Sequence, residues 1–82
     1  MDEWNTVAEL PSPFHANGAR YSVVVQGNGP RRDGTWAGRI LFRGADQRVT
    51  GQETSQPNRE ALEYWASGLE TIYLEGAFAR AR

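Results

Sequence analysis

Hydrophobic positions along this chain change period near residue 57. From 21 to 53 they follow a strand-like period of two, and beyond 57 they recur every three to four residues. Residues 21–26, Tyr-Ser-Val-Val-Val-Gln, are rich in β-branched and aromatic types and end at Gly27-Asn28-Gly29-Pro30, which predicts a strand running into a turn. Arg31-Arg32-Asp33-Gly34 prolongs that loop, because Asp-Gly favours positive φ and Pro30 cannot extend a strand. Residues 35–43 form the second predicted strand. Trp36, Gly38, Ile40 and Phe42 fall on one face; Ala37, Arg39, Leu41 and Arg43 fall on the other. Gly44-Ala45-Asp46-Gln47 turns the chain, and 48–53 returns as a third, more polar strand, completing an antiparallel meander.

The helical period then takes over. Leu62, Trp65, Ala66 and Leu69 stand at i, i+3, i+4 and i+7, one apolar stripe on a helix. Pro57 suits a first helical turn, with Ser55 or Gln56 as its cap, and Glu60 and Glu63 sit early, where the helix dipole favours negative charge. Gly68 weakens the last turn, and Thr71-Ile72-Tyr73-Leu74 then reads as a fourth strand; residues 75–82 have too short a pattern to assign. Ahead of this unit, residues 4–10 are ambiguous between strand and short helix, Pro11-Ser12-Pro13 breaks them, and 14–18 reads as loop. The expected fold class is α+β: a three-stranded antiparallel meander, one helix packed on one sheet face, and a fourth strand. Residues 1–82 form one domain, with 1–19 as an N-terminal segment and loop.

Composition narrows the chemistry. The 82 residues contain no cysteine and a single histidine, His15, so thiol chemistry, disulfides and paired-histidine metal sites are excluded. No apolar run approaches the roughly 20 residues of a membrane span. Nothing at Met1-Asp2-Glu3 resembles a signal peptide, so the expected location is cytoplasmic. Net charge is −1, which gives no global pull toward nucleic acid. All nine basic residues are arginine. A GC-rich genome accounts for that bias, while the functional alternative is recognition of phosphate or carboxylate by the guanidinium fork.

Several short strings resemble the first half of the ribonuclease H fold. Gln26-Gly27-Asn28-Gly29-Pro30 stands where that family's first strand turns. Gly34-Thr35-Trp36-Ala37-Gly38-Arg39-Ile40-Leu41 is similar to its second strand. Gly51-Gln52-Glu53-Thr54 with Asn58-Arg59 resembles the approach to its helix, Leu69-Glu70 the helix end, and Ile72-Tyr73-Leu74-Glu75 its fourth strand. The resemblance spans about 20–78 and implies a fourth strand parallel to the first. It also implies two-metal cleavage of RNA by converging carboxylates. The positions that would carry those acids are Gln26, Ala61 and Glu75, and only the last is a carboxylate. Catalysis is therefore not expected, and no metal or cofactor; a nuclease would have to use Glu75 with Glu60 or Glu53. The truncated order is also similar to HicB-type antitoxins, which implies binding of a small protein.

The remaining expectation is a binding module. If the helix covers the Trp36 face, Arg39 and Arg43 stand with Ser22, Val24 and Gln26 on a face without its usual cover. Such a face could be left to solvent, closed by 4–10, or taken by a protein partner or a second copy. A nucleic-acid binder would use Arg31, Arg32, Arg39, Arg43 and Arg48. Trp4, outside the meander, is either an interface aromatic or packed on its own sheet. Gly27-Asn28-Gly29-Pro30 links two strands, which suits a hairpin rather than a phosphate loop.

Overall fold

The computed structural model describes residues 3–82; Met1 and Asp2, on which the reading of the N-terminus rested, lie outside the described residues. In chain order the elements are β1 (Asn5–Glu9), β2 (Phe14–Ala16), β3 (Ala19–Asn28), β4 (Trp36–Arg43), β5 (Gln47–Val49), β6 (Thr54–Gln56), α1 (Arg59–Ser67) and α2 (Thr71–Arg80). The class is α+β, a six-stranded antiparallel sheet with two helices packed against it. The long strands β3 and β4 form its centre. Strands β1 and β2 pair with the outer flank of β3, and β5 and β6 pair with the outer flank of β4.

The β3–β4–β5 meander and the two faces of β4 follow the expected alternation. Ile40 and Phe42 are fully buried beneath the helices, with Val23 and Val25 beside them on β3. Beneath α2, the rings of Phe14, Tyr21, Phe42 and Phe78 pack with centroids 5.1 to 6.5 Å apart, in tilted and edge-on arrangements that aromatic quadrupoles favour. Beneath α1, Leu62 and Ala66 meet Val25, Val7 and Trp36. Helix and sheet come unusually close here. Gly27 and Gly38 are direct partners across β3 and β4, and Leu62 lies over both, so a Cβ at Gly38 would stand 2.6 Å from Leu62 Cδ1.

One ambiguity is resolved and four expectations are corrected. The 4–10 segment is an antiparallel strand, β1. Its register slips between Thr6 and Ala8, a bulge that lets Val7 and Ala8 both pack on the α1 side. The expected loop at 14–18 is a hairpin. Asn17 and Gly18 take positive φ of 53° and 77°, the turn geometry that matches strand twist, so β2 folds directly onto the start of β3. The third strand is interrupted. β5 and β6 both pair with β4, and between them Thr50 turns its side chain into the ladder. The Ile40 N–H donates to Thr50 Oγ1, and the Thr50 N–H donates to the Ile40 carbonyl, each at 3.0 Å.

The largest correction concerns 71–74. Instead of a fourth strand, α2 begins at Thr71 and runs to Arg80. Leu74, Ala77, Phe78 and Ala81 recur with helical spacing and are buried in the aromatic cluster, and this burial overrides the strand preference of Thr-Ile-Tyr. Among the described residues no strand lies parallel to another, so the parallel strand implied by the ribonuclease H resemblance is a helix here. Helix α1 starts at Arg59, two residues beyond Pro57. Asn58 is its cap, its side-chain oxygen accepting from the Ala61 N–H at 2.8 Å. The chain then closes the β5 edge, where Arg82 and Val49 exchange both backbone hydrogen bonds.

Candidate binding face

Both helices pack on the same side of the sheet, which leaves the other side open. Register places Thr6, Glu9, Arg20, Ser22, Val24, Gln26, Ala37, Arg39, Leu41, Arg43 and Val49 on that open side, as alternates of the residues under the helices. Its centre is apolar. Val24, only 1% exposed, lies between Glu9 and Leu41 in the pairing, and Leu41 in turn opposes Val49. With no helix above them, these side chains are covered by the longer ones of the face itself.

Arg39 is the best-defined group on this face. Its Nε donates to Gln26 Oε1 at 2.8 Å, and its guanidinium carbon lies 4.2 Å from the centroid of the Trp4 ring, a cation–π contact. Burial lowers its pKa, so the charge is partly stripped of water. Among the described residues its two terminal nitrogens have no hydrogen-bond partner. Trp4 is thus on its own sheet, where it holds Arg39 flat. Arg43 and Arg20 are exposed on the same face and form no ion pair among the described residues.

The other sequence candidates do not join them. Arg31 is a tether. It donates to Thr35 Oγ1 at 3.0 Å, to Gln52 Oε1 at 3.3 Å and to Ser55 Oγ at 2.6 Å, fastening the β3–β4 loop to β6. Asp33 beside it accepts from the Thr35 hydroxyl and N–H, and those bonds lower its pKa. Arg32 is exposed at the loop tip. Arg48 belongs to the helix side, pairing with Asp46 at 3.0 Å and lying 4.7 Å from the Phe78 centroid. The Tyr21 hydroxyl donates to the same Asp46 at 2.7 Å, and this bond, then Arg48, keeps the carboxyl below its usual range. His15 opposes Arg20 in the hairpin and is exposed.

Gln26, Ala61 and Glu75 are not brought together. Gln26 is on the open face, Ala61 in the first turn of α1 with its N–H on the Asn58 cap, and Glu75 exposed on α2. Glu60 is an exposed surface acid, and Glu63 pairs with Arg59 at 3.1 Å. Glu53 is otherwise engaged. Its side chain is 8% exposed and accepts from Tyr73 Oη and Arg80, each at 2.6 Å. Burial pushes its carboxyl up, but these two donors outweigh it and the net shift is downward. The Tyr73 hydroxyl is pushed up to about 12 by burial and by that carboxylate. This trio latches α2 to the edge between β5 and β6, and the spacing of Glu53, Tyr73 and Arg80 along the chain gave no sign of it. Among the described residues, no three His, Asp or Glu side chains form a metal-holding group, and no helix is long and apolar enough to cross a membrane.

The helix layer carries the opposite charge. Residues 59–80 hold Glu60, Glu63, Glu70 and Glu75 against Arg59 and Arg80. Two large apolar residues are also exposed there, Tyr64 at 82% and Ile72 at 77%. They flank a groove of about 590 Å³ between the helices, which Trp65, Leu69, Glu70 and Tyr73 also line. A second groove, about 630 Å³, opens between the β1–β2 connection and the helix elbow, with Leu10, Phe14 and Leu69 inside and Glu9, Glu63 and Glu75 at its margin. Comparison with known proteins places the chain in no group: no family model, curated protein or solved structure matches it.

Proposed function

We propose that this protein is a non-catalytic binding module whose open sheet face docks a protein surface rich in carboxylates. The observation that carries the reading is the Trp4–Arg39–Gln26 arrangement, set beside Arg43 and Arg20 on a face no helix covers. Arg39 is held in place before any partner arrives. Less side-chain entropy is then lost on binding, and the free end of its fork suits a carboxylate. The apolar strip of Val24 and Leu41 between the arginines suits a protein surface more than a polyphosphate chain. Single-stranded nucleic acid is bound by stacking bases on a series of aromatics, whereas this face has one, Trp4, with Arg39 already against its ring.

An amide-shift titration tests the reading. A short glutamate-rich peptide should move the amides of 22–26 and 37–43, and Arg43→Glu should abolish those shifts. An RNA oligonucleotide of equal length moving the same amides while the peptide does not would transfer the face to the nucleic-acid reading. Shifts from neither would remove the face as an anion-binding surface.

A further inference from the structure

The principal extents of the molecule are 41 × 26 × 17 Å, and its sheet and helix sides are unlike in net charge and alike in design. The sheet side has an apolar centre, Val24 and Leu41 with Trp4, around which Arg20, Arg39 and Arg43 outnumber Glu9. The helix side has an apolar centre, Tyr64 and Ile72 at a groove that Glu70 also lines, and across that layer Glu60, Glu63, Glu70 and Glu75 outnumber Arg59 and Arg80. Each is the arrangement of an interface core with charged surroundings, and the two sides are of opposite net charge.

Resting on the function proposed above, we infer that the carboxylate-bearing partner is a second copy of this chain, which presents its helix side to the open sheet face of the first. A molecule with extents of 41 × 26 × 17 Å has room on its larger sides for the roughly 800 Å² per partner of a stable interface. Contact through two different surfaces is head-to-tail, so each bound copy keeps one surface of each kind free. A two-fold dimer through either side alone would set arginines against arginines or glutamates against glutamates, which opposes that symmetry. Exposed Tyr64 and Ile72 supply the apolar anchor that such a contact needs.

Sedimentation velocity on the full chain tests this. Mean mass should rise with concentration at about 25 mM salt, and the association should weaken at least about tenfold by about 250 mM as the rims are screened. Two double variants separate the surfaces, all four positions being exposed: Arg20→Glu with Arg43→Glu blocks the sheet side, and Tyr64→Ser with Ile72→Ser blocks the helix side. Each alone should stay monomeric. Their equimolar mixture should give a dimer and nothing larger, because each retains the surface the other lacks. A mixture that stays monomeric while the native chain associates would overturn the head-to-tail contact. A native chain monomeric throughout would overturn self-recognition. If the glutamate-rich peptide still moved 22–26 and 37–43, the face would belong to a different protein; if it did not, the face reading would fall as well.

Discussion

Strand β4 shows two environments on one backbone. Ile40 and Phe42 point beneath the helices and are fully buried, while their neighbours Arg39, Leu41 and Arg43 point to a side with no second layer. On the covered side every position is held by atoms above and beside it. On the open side only the neighbours in the sheet provide cover, so Val24 and Leu41 are buried while Arg43 is exposed. Burial within a sheet can thus come from the sheet's own side chains. What the second layer adds is packing from above, and the cavity penalty that follows when a side chain is truncated there. A face without that layer is free to carry charge, and here Arg20, Arg39 and Arg43 outnumber Glu9.

The widest separation between the two sides is expected in their response to truncation. Phe42→Ala should cost about 3–5 kcal/mol, because it empties the aromatic cluster beneath α2. Leu41→Ala should cost only about 1.5–2 kcal/mol, the transfer contribution with little cavity left behind. Denaturant unfolding of the two variants reads the contrast directly, and equal losses would mean the open side is packed as the covered side is. The next effect comes from the opposite change. Gly38→Ala drives a methyl against Leu62 and Thr54, whose nearest carbons would be 2.6 and 2.8 Å away, and overpacking of this kind costs about 1–3 kcal/mol. Gly51→Ala, where nothing lies within 4 Å, should be close to neutral and serves as the control.

A smaller effect sharpens the comparison at the sheet edge, where Glu53 latches α2. Its folded pKa is depressed below 4.5, so its contribution is present above that value and is lost as pH falls through the folded pKa. Acid unfolding should therefore be less steep in Glu53→Gln, which should also be the less stable protein at neutral pH. Tyr73 has the opposite sign. Raised from 10.0 to about 12, it contributes below pH 10 and loses that contribution as pH climbs toward 12. Tyr73→Phe should flatten the alkaline limb of the stability profile and leave the acid limb to Glu53. The smallest effect belongs to the open face. Arg43→Glu should alter stability by no more than about 0.5 kcal/mol, since the side chain is exposed and unpaired among the described residues. A large loss would mean that Arg43 is structural.

Legibility differed by residue for physical reasons. The stripe of Leu62, Trp65, Ala66 and Leu69 and the alternation from Trp36 to Arg43 each repeat within one element, so the pattern names the element and its apolar side. Arg39 and Arg43 were readable as a face for the same reason. Arg20 does not stand out although its alternation with Tyr21 carries the signal, because the Asn17-Gly18 turn that extends β3 reads as loop from sequence. The α2 signal was present too, in Leu74, Ala77, Phe78 and Ala81. It was hidden because Thr71-Ile72-Tyr73 favours a strand when read alone. Arg31 and Arg48 could not be separated from the other arginines at all. Which side of a sheet an edge residue joins depends on pairing register, and which partner a loop arginine reaches depends on where another strand ends.

By itself the chain's order of side chains determined an α+β class, a central meander, the apolar side of β4 and the core stripe of α1, since these follow from local periodicity and from burial of the apolar phase. Only the tertiary structure decided that 71–80 is a helix, that Glu53 meets Tyr73 and Arg80, that Trp4 holds Arg39, and that the sheet side and the helix side differ in the sign of their net charge. Those are contacts between residues distant in the chain. Their free energy comes from surfaces that exist only once the sheet and both helices have assembled.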